Sequence, residues 1–392
     1  AEVLRSLKES GSDVTVVATD SALAFVGEAT WAALSGKPVA RSMWQQTHDV
    51  PHVSLARWAD VIAVVPATAD AMARIASGRA DDLVASLCLM AASGVIMFPA
   101  MHTEMWEHPA TVENVSRLRK IGIRVVAPDS GRLTGPDTGV GRLGEPASIA
   151  MIIRTFAQPA SRDAALINRR VVITAGGTRE EIDSVRVITN KSSGLMGYSC
   201  AAAAVAAGAE VTIIAANVSL PSIAGATTVA VTSHAELAAA VTAAAVTADA
   251  VIMAAAVSDY APEPIHGKLK KTGGAASLQL IELPDILAGL GAARAAARAA
   301  TSLPTEPARP SVLVGFAAEA AAGDDLHLLA KKKLQNKGCD LIIANDVSGG
   351  AVFGEESTSI LIVDASGARS VAEVTKEAAA VEVIAAVAAR LD

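Results

Sequence analysis

The feature that most constrains the fold of this chain is its alternation of short, strongly apolar runs with longer amphipathic stretches. Four such runs occur in the first half: VTVVA (14–18), VIAVV (61–65), VIMF (95–98) and RVVA (124–127). Because they lack the polar alternation of a half-solvated strand, they are typical of parallel strands buried on both faces. Residues 69–77, 111–120 and 147–156 have the pattern of helices. We therefore predict a doubly wound α/β domain with ligands at the carboxyl ends of its strands.

A second alternation fills the other half of the chain. Its apolar runs are VVIT (171–174), VTIIA (211–215), VAVT (229–232), VIMAAA (251–256), VLVGF (312–316), LIIAN (341–345) and ILIV (360–363). Helices are predicted over 233–246 and 325–337, and the alanine- and proline-rich stretch 289–310 is interpreted as a variable insertion. A chain of 392 residues has room for two domains. We place the first at 1–157, a linker at 158–169 and the second at 170–392.

Composition and charge narrow the classes of partner. The net charge of −7 argues against a general nucleic-acid surface. The three cysteines lie far apart in apolar surroundings, which is typical of reduced core residues in a cytoplasmic protein. No apolar run reaches the about 18 residues that a membrane helix needs, and no signal peptide is visible, so we expect no membrane partner. The start, AEVLRSLKESG, reads as the second half of an amphipathic helix, so we expect that a first strand is missing.

Four polar stretches in the first half follow predicted strands. They are TDSA (19–22), PATAD (66–70), PAMHTEMW (99–106) and the glycine-rich segment 129–146, which we interpret as a loop long enough to be a functional flap. Small hydroxyl side chains and backbone amides at strand ends suit a phosphate and a flat ring system. His52 precedes a predicted helix; a lone histidine is more often a surface or capping residue, but beside such a pocket it becomes a candidate base.

These stretches, with HVSLARWAD (52–60), resemble the flavin-containing cysteine decarboxylases over nearly the whole first half. The resemblance implies a flavodoxin-like domain with FMN at the strand ends and an active site between the subunits of a trimer. It implies that FMN lies near Thr19, Ser21, Pro66, Ala67, Thr68 and Met101, and that His52 is the catalytic histidine. Such enzymes oxidise a terminal cysteinyl group through FMN, release CO2 and reduce the resulting enethiol.

The first half departs from that family in three ways. The family's first strand, with the glycine loop that helps to hold the FMN phosphate, is absent from this sequence. His102 stands where the family has an asparagine that binds the substrate carboxylate, although histidine can also donate a hydrogen bond. The flap carries no cysteine to return a proton, and Thr134 or Gly135 falls about where it would be. A hydroxyl is a far weaker acid than a thiol, so another donor or water has to serve.

The second half opens with an unusual polar segment, VVITAGGTREEIDSVRVITNKSSGLMG (171–197). It is not a dinucleotide fingerprint, because the glycines do not open directly into a helix, which we expect only from about Met196. The pair Gly176-Gly177 permits close backbone approach. The sequence NKSSG (190–194) before a helix provides donors and a positive helix end, both suited to an anion.

Lysines follow other strands of this half. Asp259 comes after VIMAAA with KLKKT (268–272) behind it, and Lys333 and Lys337 lie four residues apart on one helix face. Each lysine alone is more often a solvated surface residue, but together near strand ends they favour a triphosphate. The Walker sequence is absent.

Residues 170–390 closely resemble phosphopantothenate–cysteine ligase, through TAGGTREEID, VRVITNKSSGLMG, AAAVSDY, KLKKT, LPDIL, VGFAAE, KKKLQNKGCDLIIANDVS and VFG. The resemblance implies a Rossmann-like domain and Mg2+-assisted CTP binding at Met253, Ala254, Ala255, Asp259, Lys268, Pro284, Asp285, Ile286, Leu287, Phe316, Lys333 and Lys337. It implies that Asn190 and Arg186 hold the carboxylate of 4′-phosphopantothenate and its acyl-cytidylate while cysteine attacks. Lys268 would assist formation of that intermediate. Leu283 replaces the family's asparagine, which puts a side-chain contact there in doubt.

The order of the two halves matches the bifunctional bacterial enzymes of coenzyme A biosynthesis. We therefore predict ligation of 4′-phosphopantothenate with cysteine, followed by decarboxylation to 4′-phosphopantetheine. Two alternatives stay open: a working ligase with an inactive flavin domain, or a flavin-fold regulatory subunit. The family resemblance further implies a homo-oligomer, a dodecamer of decarboxylase trimers joined by ligase dimers.

Overall fold

The structure, a computed structural model, describes residues 1–44, 50–91, 94–163, 166–263, 265, 267–270, 277–300, 309–319, 321, 323–346 and 357–391. It contains two compact units. The first comprises 1–165, 205–208 and 221–226, and the second comprises 166–204, 209–220 and 227–392. The predicted motif VFG (352–354) and the residues Lys271, Thr272, Val347 and Ser348 lie outside the described residues.

The elements up to residue 163 include a three-stranded sheet and a separate two-stranded hairpin. They are α1 (Glu2–Glu9), α2 (Asp20–Phe25), α3 (Glu28–Ser35), α4 (Pro51–Trp58), β1 (Ile62–Ala67), α5 (Ala69–Ala76), α6 (Leu83–Met90), β2 (Val95–Pro99), α7 (Thr103–Trp106), α8 (Pro109–Lys120), β3 (Arg124–Val125), β4 (Asp129–Arg132), β5 (Thr138–Arg142), α9 (Pro146–Ala157) and α10 (Pro159–Asp163). Strands β1, β2 and β3 pair in parallel in that order. Every residue of β2 is buried, as its apolar sequence predicts.

Two predictions for this unit are wrong. Residues 14–18 form no strand: they contain an isolated parallel bridge between Val17 and Ala40, in which Ala18 donates to Ala40 at 3.1 Å and Ala40 donates to Val16 at 3.0 Å. The segment 129–146 is not a loop throughout, because β4 and β5 pair as an antiparallel hairpin within it. Apolar runs did not indicate this hairpin, since its strands are polar and are stabilised by pairing with each other.

The elements from residue 170 onward supply the second unit. They are β6 (Arg170–Gly176), β7 (Arg179–Glu181), β8 (Val187–Thr189), α11 (Leu195–Ala206), β9 (Glu210–Ala216), β10 (Ala226–Val231), α12 (His234–Ala245), β11 (Ala250–Met253), β12 (Tyr260–Pro262), β13 (Leu280–Glu282), α13 (Ile286–Ala300), β14 (Val312–Glu319), α14 (Gly323–Lys337), β15 (Leu341–Asp346), β16 (Ser357–Val363), β17 (Ala368–Thr375) and α15 (Lys376–Leu391). The eight-stranded sheet has the order β10-β9-β6-β11-β14-β15-β16-β17, and β7 pairs with β8 and β12 with β13 outside this main sheet. Strands β9, β6, β11, β14 and β15 run parallel, and β16 and β17 are antiparallel.

The stretch 289–310 is not simply an insertion. Its first part belongs to α13, where the guanidinium of Arg294 is buried, pairs with Asp340 and donates to the carbonyl oxygen of Gly338 at 2.7 Å. A buried guanidinium needs such partners, and here they tie α13 to the turn that enters β15. Alanine is the strongest helix former, so the composition that favoured an insertion is equally the composition of a helix.

Candidate functional site

A crowded backbone crossing marks the end of β6. Gly176 has a φ of +86°, and a Cβ added there would lie 2.0 Å from the carbonyl oxygen of Ala216. The next residue, Gly177, donates its N–H to that same oxygen at 3.0 Å and forms a parallel bridge with Ala256 beyond β11. Only glycine is compatible with position 176, so the glycine pair fixes where the polar segment leaves the sheet.

Threonine and asparagine side chains bind that segment to the end of β11. The hydroxyl of Thr178 accepts the N–H of Ser258 at 3.0 Å, and Thr189 donates to the carbonyl oxygen of Thr178 at 2.8 Å. The amide nitrogen of Asn190 donates to the carbonyl oxygen of Val257 at 3.0 Å. An asparagine amide has two donor hydrogens and an acceptor oxygen, so Asn190 retains one hydrogen and its oxygen for a ligand.

The NKSSG sequence leads into α11 through a tight turn. Ser192 and Ser193 accept the N–H groups of Gly194 and Leu195, each at 3.3 Å, and Gly194 has a φ of +81°. Farther along, Gly197 allows α11 to approach the sheet, since a Cβ there would lie 2.6 Å from that of Ala175. The amino-terminal end of a twelve-residue helix thus lies beside the carboxyl end of β6, and it is at this helix end that we predict an anion site.

A turn at 283–285 is bound to the segment that follows β11. Leu283 donates its N–H to the carbonyl oxygen of Asp259 at 2.8 Å. One carboxylate oxygen of Asp285 accepts the N–H of Ala288 at 2.8 Å and so caps α13, and the other forms an ion pair with Lys337. Since Leu283 takes part through its backbone, the position keeps this contact without the family's asparagine. The structure therefore brings together Asp259, Asp285 and Lys337.

Other residues predicted to bind the nucleotide lie on or just after β11 and on β14 and α14. Met253 ends β11 and is buried, Ala255 donates its N–H to the hydroxyl of Thr174 at 3.0 Å, and Phe316 is half-buried in β14. Lys333 on α14 pairs with Glu319 at the end of β14, with 2.5 Å between Nζ and Oε1. Both lysines that we expect to bind phosphate are thus held by carboxylates.

The side chain of Arg186 is bound by other residues of the protein. Its guanidinium pairs with Asp183 and donates to the carbonyl oxygen of Leu269 at 3.3 Å. Lys268, which precedes Leu269, is exposed.

The sequence analysis did not identify two residues that contact the predicted site residues. The first is Asp183, which pairs with Arg186. The second is His234, whose ring Nε2 lies 2.8 Å from the carbonyl oxygen of Pro284.

In the first unit the predicted flavin residues lie at strand ends and helix starts. Thr19 caps α2 by accepting the N–H of Ala22, and Thr68 caps α5 by accepting the N–H of Ala71, each at 3.2 Å. Ser21 is exposed in the first turn of α2. Pro66 follows a cis peptide bond and is exposed, while Ala67 is buried. The two threonine hydroxyls each keep a hydrogen that can be donated to a ligand.

The hairpin of β4 and β5 packs on the turn after β2. Met101 donates its N–H to the carbonyl oxygen of Gly141 at 3.0 Å, and a Cβ on Gly141 would lie 2.0 Å from the carbonyl oxygen of Met101. His102 caps α7 without a side-chain hydrogen bond. A Cβ on Gly139 would lie 2.2 Å from the hydroxyl oxygen of Thr103. The predicted flap is therefore a glycine-lined hairpin that is bound directly to the residues predicted to contact FMN and substrate.

His52 lies in the first turn of α4, a helix that packs against α6. The side chain is half-buried, and its Nδ1 atom is shielded from solvent without a hydrogen-bond partner among the described residues. The hydroxyl of Thr103 is in the same condition. Cys88, in contrast, is buried, and burial raises the pKa of its thiol to about 12, so it is no substitute for an acidic flap cysteine.

Across the described part of the chain, no helix combines the length and the apolar character that crossing a membrane requires. In the same residues, no three His, Cys, Asp or Glu side chains stand together as a ready metal site.

Two family models divide the chain between them. The Flavoprotein model matches residues 1–158, and the model of the DNA/pantothenate metabolism flavoprotein C-terminal domain matches residues 166–391. The fold and its sites therefore define a two-domain α/β flavoprotein.

The relatives identify the family. The chain is 43% identical over 375 residues to the coenzyme A biosynthesis bifunctional protein CoaBC of Mycobacterium tuberculosis (strain ATCC 25618 / H37Rv), covering 94% of this chain and 87% of that one. It is 38% identical over 362 residues to the protein of the same name from Bacillus subtilis (strain 168), covering 91% and 84%. A crystal structure of the C-terminal domain of a CoaBC is 32% identical, covers 58% of this chain and 97% of that one, and gives a TM-score of 0.46. The chain belongs to the CoaBC family of bifunctional coenzyme A biosynthesis proteins, which confirms the predicted family and the two-domain α/β fold.

Proposed function

We propose that the second domain joins 4′-phosphopantothenate to cysteine at the expense of CTP, and that the first domain decarboxylates the product to 4′-phosphopantetheine. The observation that carries the ligase half is the convergence at one sheet edge of the Asn190 amide, the start of α11 and the turn that contains Asp285. Family membership supports both halves.

In the ligase reaction a carboxylate oxygen of 4′-phosphopantothenate attacks the α-phosphorus of CTP, and pyrophosphate leaves. The amine of cysteine then attacks the acyl carbon, loses a proton and displaces CMP. Asn190 would hold the acyl carboxylate with its remaining amide hydrogen. Lys333 and Lys337 would leave their carboxylate partners to neutralise the phosphates, because the transition state is anionic. Mg2+ would arrive with the nucleotide, since this ion keeps waters and phosphates as ligands.

The residues of the first domain fit FMN. Thr19 and Thr68 can donate their hydroxyl hydrogens, and Ala67 is small. The Nδ1 atom of His52 and the hydroxyl of Thr103 are buried and have no hydrogen-bond partner among the described residues. Bound there, FMN would supply the two-electron oxidation of the cysteinyl group and the later return of those electrons. His52 would accept a proton on the unpartnered Nδ1 atom, and His102 would donate a hydrogen bond to the substrate carboxylate.

One feature of the first domain favours a second candidate function, in which only the ligase is active. The tip of the hairpin contains Thr134 and Gly135 where the resembling family has a cysteine, and a hydroxyl there is a poor acid. A ligase attached to a slow or inactive flavin domain is therefore the alternative. A homo-oligomer in the cytoplasm, without nucleic-acid or membrane partners, stays a prediction.

One reaction tests these proposals. The protein is mixed with 4′-phosphopantothenate, cysteine, CTP, Mg2+ and FMN, and the products are followed by mass spectrometry. Accumulation of 4′-phosphopantetheine would support both activities. Accumulation of 4′-phosphopantothenoylcysteine alone would support the ligase and reject the decarboxylase. Failure to form either product, with CTP unconsumed, would reject the ligase, and a separate reaction started from 4′-phosphopantothenoylcysteine would then judge the decarboxylase.

A further inference from the structure

We infer that Asp183 is a positioning residue that holds the segment containing Lys268 in place for the ligase reaction. This inference rests on the proposed role of Lys268 in forming the acyl-cytidylate. Asp183 itself is outside the residues that the family resemblance assigns. Its side chain is only 3% exposed, so its carboxylate does not act as a surface group.

The two oxygens of this carboxylate have separate partners. Oδ1 accepts the N–H groups of Val185 and Arg186, each at 2.8 Å, which closes a local turn. Oδ2 accepts the N–H of Leu269 at 3.1 Å and the guanidinium of Arg186. One oxygen therefore organises the turn, and the other connects that turn to a residue 86 positions later in the chain.

The connection surrounds Lys268. Ser184 donates its N–H to the carbonyl oxygen of Gly267 at 3.3 Å, and the guanidinium of Arg186 donates to the carbonyl oxygen of Leu269 at 3.3 Å. Both backbone neighbours of Lys268 are thus bonded to the Asp183 turn, while Lys268 itself stays exposed. Because the backbone is fixed on both sides of Lys268, its long side chain can reach fewer positions. Restricting a catalytic side chain to the productive position raises the rate of a reaction.

We call Asp183, with its hydrogen bonds to Val185, Arg186 and Leu269, the clamp. The electrostatics keep its carboxylate ionised. Burial alone raises the pKa of Asp183, but the N–H groups of Val185, Leu269 and Arg186 and the guanidinium outweigh it and bring the pKa to about 2. The carboxylate is therefore ionised under all physiological conditions. A neutral side chain of the same shape loses the acceptor at Oδ2, and its amide hydrogens would face the N–H of Leu269 and the positive charge of Arg186.

The substitution Asp183→Asn separates the two functions of the side chain, because it can keep Oδ1 for the turn while removing the Oδ2 acceptor. The matched control is Asp364→Asn. Asp364 also closes a turn through Oδ1, to Ser366 and Gly367, and also pairs with an arginine, Arg390. Its neighbour Val363 pairs with Ile342 near the start of β15, so Asp364 lies near the amino-terminal ends of the parallel strands, away from their carboxyl ends.

Two measurements on the full chain decide the matter. The first is the rate of tryptic cleavage after Lys268 and Lys270 under native conditions, which requires no ligase activity. The second is the steady-state rate of CTP-dependent pyrophosphate release over a range of cysteine concentrations up to saturation. For Asp183→Asn we expect at least fivefold faster cleavage and at least a tenfold lower kcat, with kcat/KM for cysteine unchanged, since cysteine reacts after the intermediate forms. Asp364→Asn should match the unaltered protein in both.

Three outcomes would overturn the inference: unchanged cleavage, unchanged kcat, or the same losses in Asp364→Asn. If Asp183→Asn does not fold, Arg186→Gln removes the guanidinium contacts to Asp183 and Leu269 from a half-exposed position and should give faster cleavage in the same direction. Unchanged cleavage in that variant would equally reject the clamp. A protein that releases no pyrophosphate at all would reject the proposed ligase, while the cleavage experiment would still judge the clamp.

Discussion

The ring Nε2 of His234 lies 2.8 Å from the carbonyl oxygen of Pro284, so a histidine at the start of α12 holds the turn that carries Asp285. A carbonyl oxygen only accepts, so Nε2 carries the hydrogen. The side chain is buried, and its own backbone N–H donates to a carboxylate oxygen of Glu180 at 2.9 Å. This arrangement couples two predicted nucleotide residues to a helix that has no predicted contact with the ligand.

We predict that His234→Phe raises the KM for CTP about tenfold, because an unpaired buried carbonyl oxygen costs about 1–3 kcal/mol and releases the turn. The KM for cysteine should not change. His234→Gln retains a side-chain donor and should recover part of the loss. Steady-state kinetics on the three proteins make the measurement, and equal effects on the KM of CTP and cysteine would refute a specific role in the nucleotide turn.

Glu319 forms an ion pair with Lys333, the lysine that we propose binds a phosphate of CTP, so its carboxylate would compete with that phosphate. We predict that Glu319→Gln tightens CTP binding by up to about fivefold, since exposed ion pairs contribute about 0.2–1 kcal/mol. Isothermal titration of CTP measures this. The control is Glu382→Gln, which removes the same charge from the Arg369 pair on α15. Weaker binding in Glu319→Gln would show that the carboxylate helps to bind the nucleotide or its metal ion.

The depressed pKa of Asp183 has a consequence for acid stability. A carboxylate whose folded-state pKa is about 2, below its usual 3.8, stabilises the fold above that usual value and loses its contribution as the pH falls toward 2. We predict that Asp183→Asn lowers the Tm of the second domain at pH 5 to 7, and that the difference from the unaltered protein shrinks between pH 4 and 2. Thermal unfolding followed by circular dichroism over this range tests it. A difference independent of pH would mean that the ionised carboxylate contributes nothing to stability.

The hairpin of the first domain depends on Gly141. Its φ is +144°, and an added Cβ would meet the carbonyl oxygen of Met101 at 2.0 Å. We predict that Gly141→Ala destabilises the domain by about 2–4 kcal/mol and abolishes decarboxylation while the ligase is retained. Gly131→Ala is the control, because a Cβ there meets only the flexible side chain of Arg142, at 3.2 Å. Normal decarboxylation by Gly141→Ala would show that the hairpin is not needed near the substrate.

The sequence predicted the parts of the fold that are stabilised by burial. The apolar runs at 95–98 and 341–345 became β2 and β15 because their residues are buried in the sheets. The hairpin of β7 and β8 and the strand β17 escaped prediction, because they are polar or largely exposed and are stabilised by pairing with the neighbouring strand rather than by burial. At the site, His234 has a main-chain carbonyl 50 residues away as its partner, and such a contact has no sequence signature. Asp183 had a weak signal, since an aspartate before a serine is typical of a turn.

His52 provides the sharpest test of the flavin domain. Its unpartnered Nδ1 atom is the proton acceptor that we propose, so His52→Ala should lower the rate of CO2 release by about 10²–10⁴-fold. Pyrophosphate release by the ligase should stay within twofold of the unaltered protein. His108→Ala is the control: its ring also lies at a helix start, where Nδ1 accepts the N–H of Ala110 at 3.2 Å, but we assign it no chemistry. Both rates are measured on one preparation, by 4′-phosphopantetheine formation from added 4′-phosphopantothenoylcysteine and by pyrophosphate release. If His52→Ala decarboxylates normally, the proton is accepted elsewhere; if both variants fail equally, the loss reflects packing of the helices.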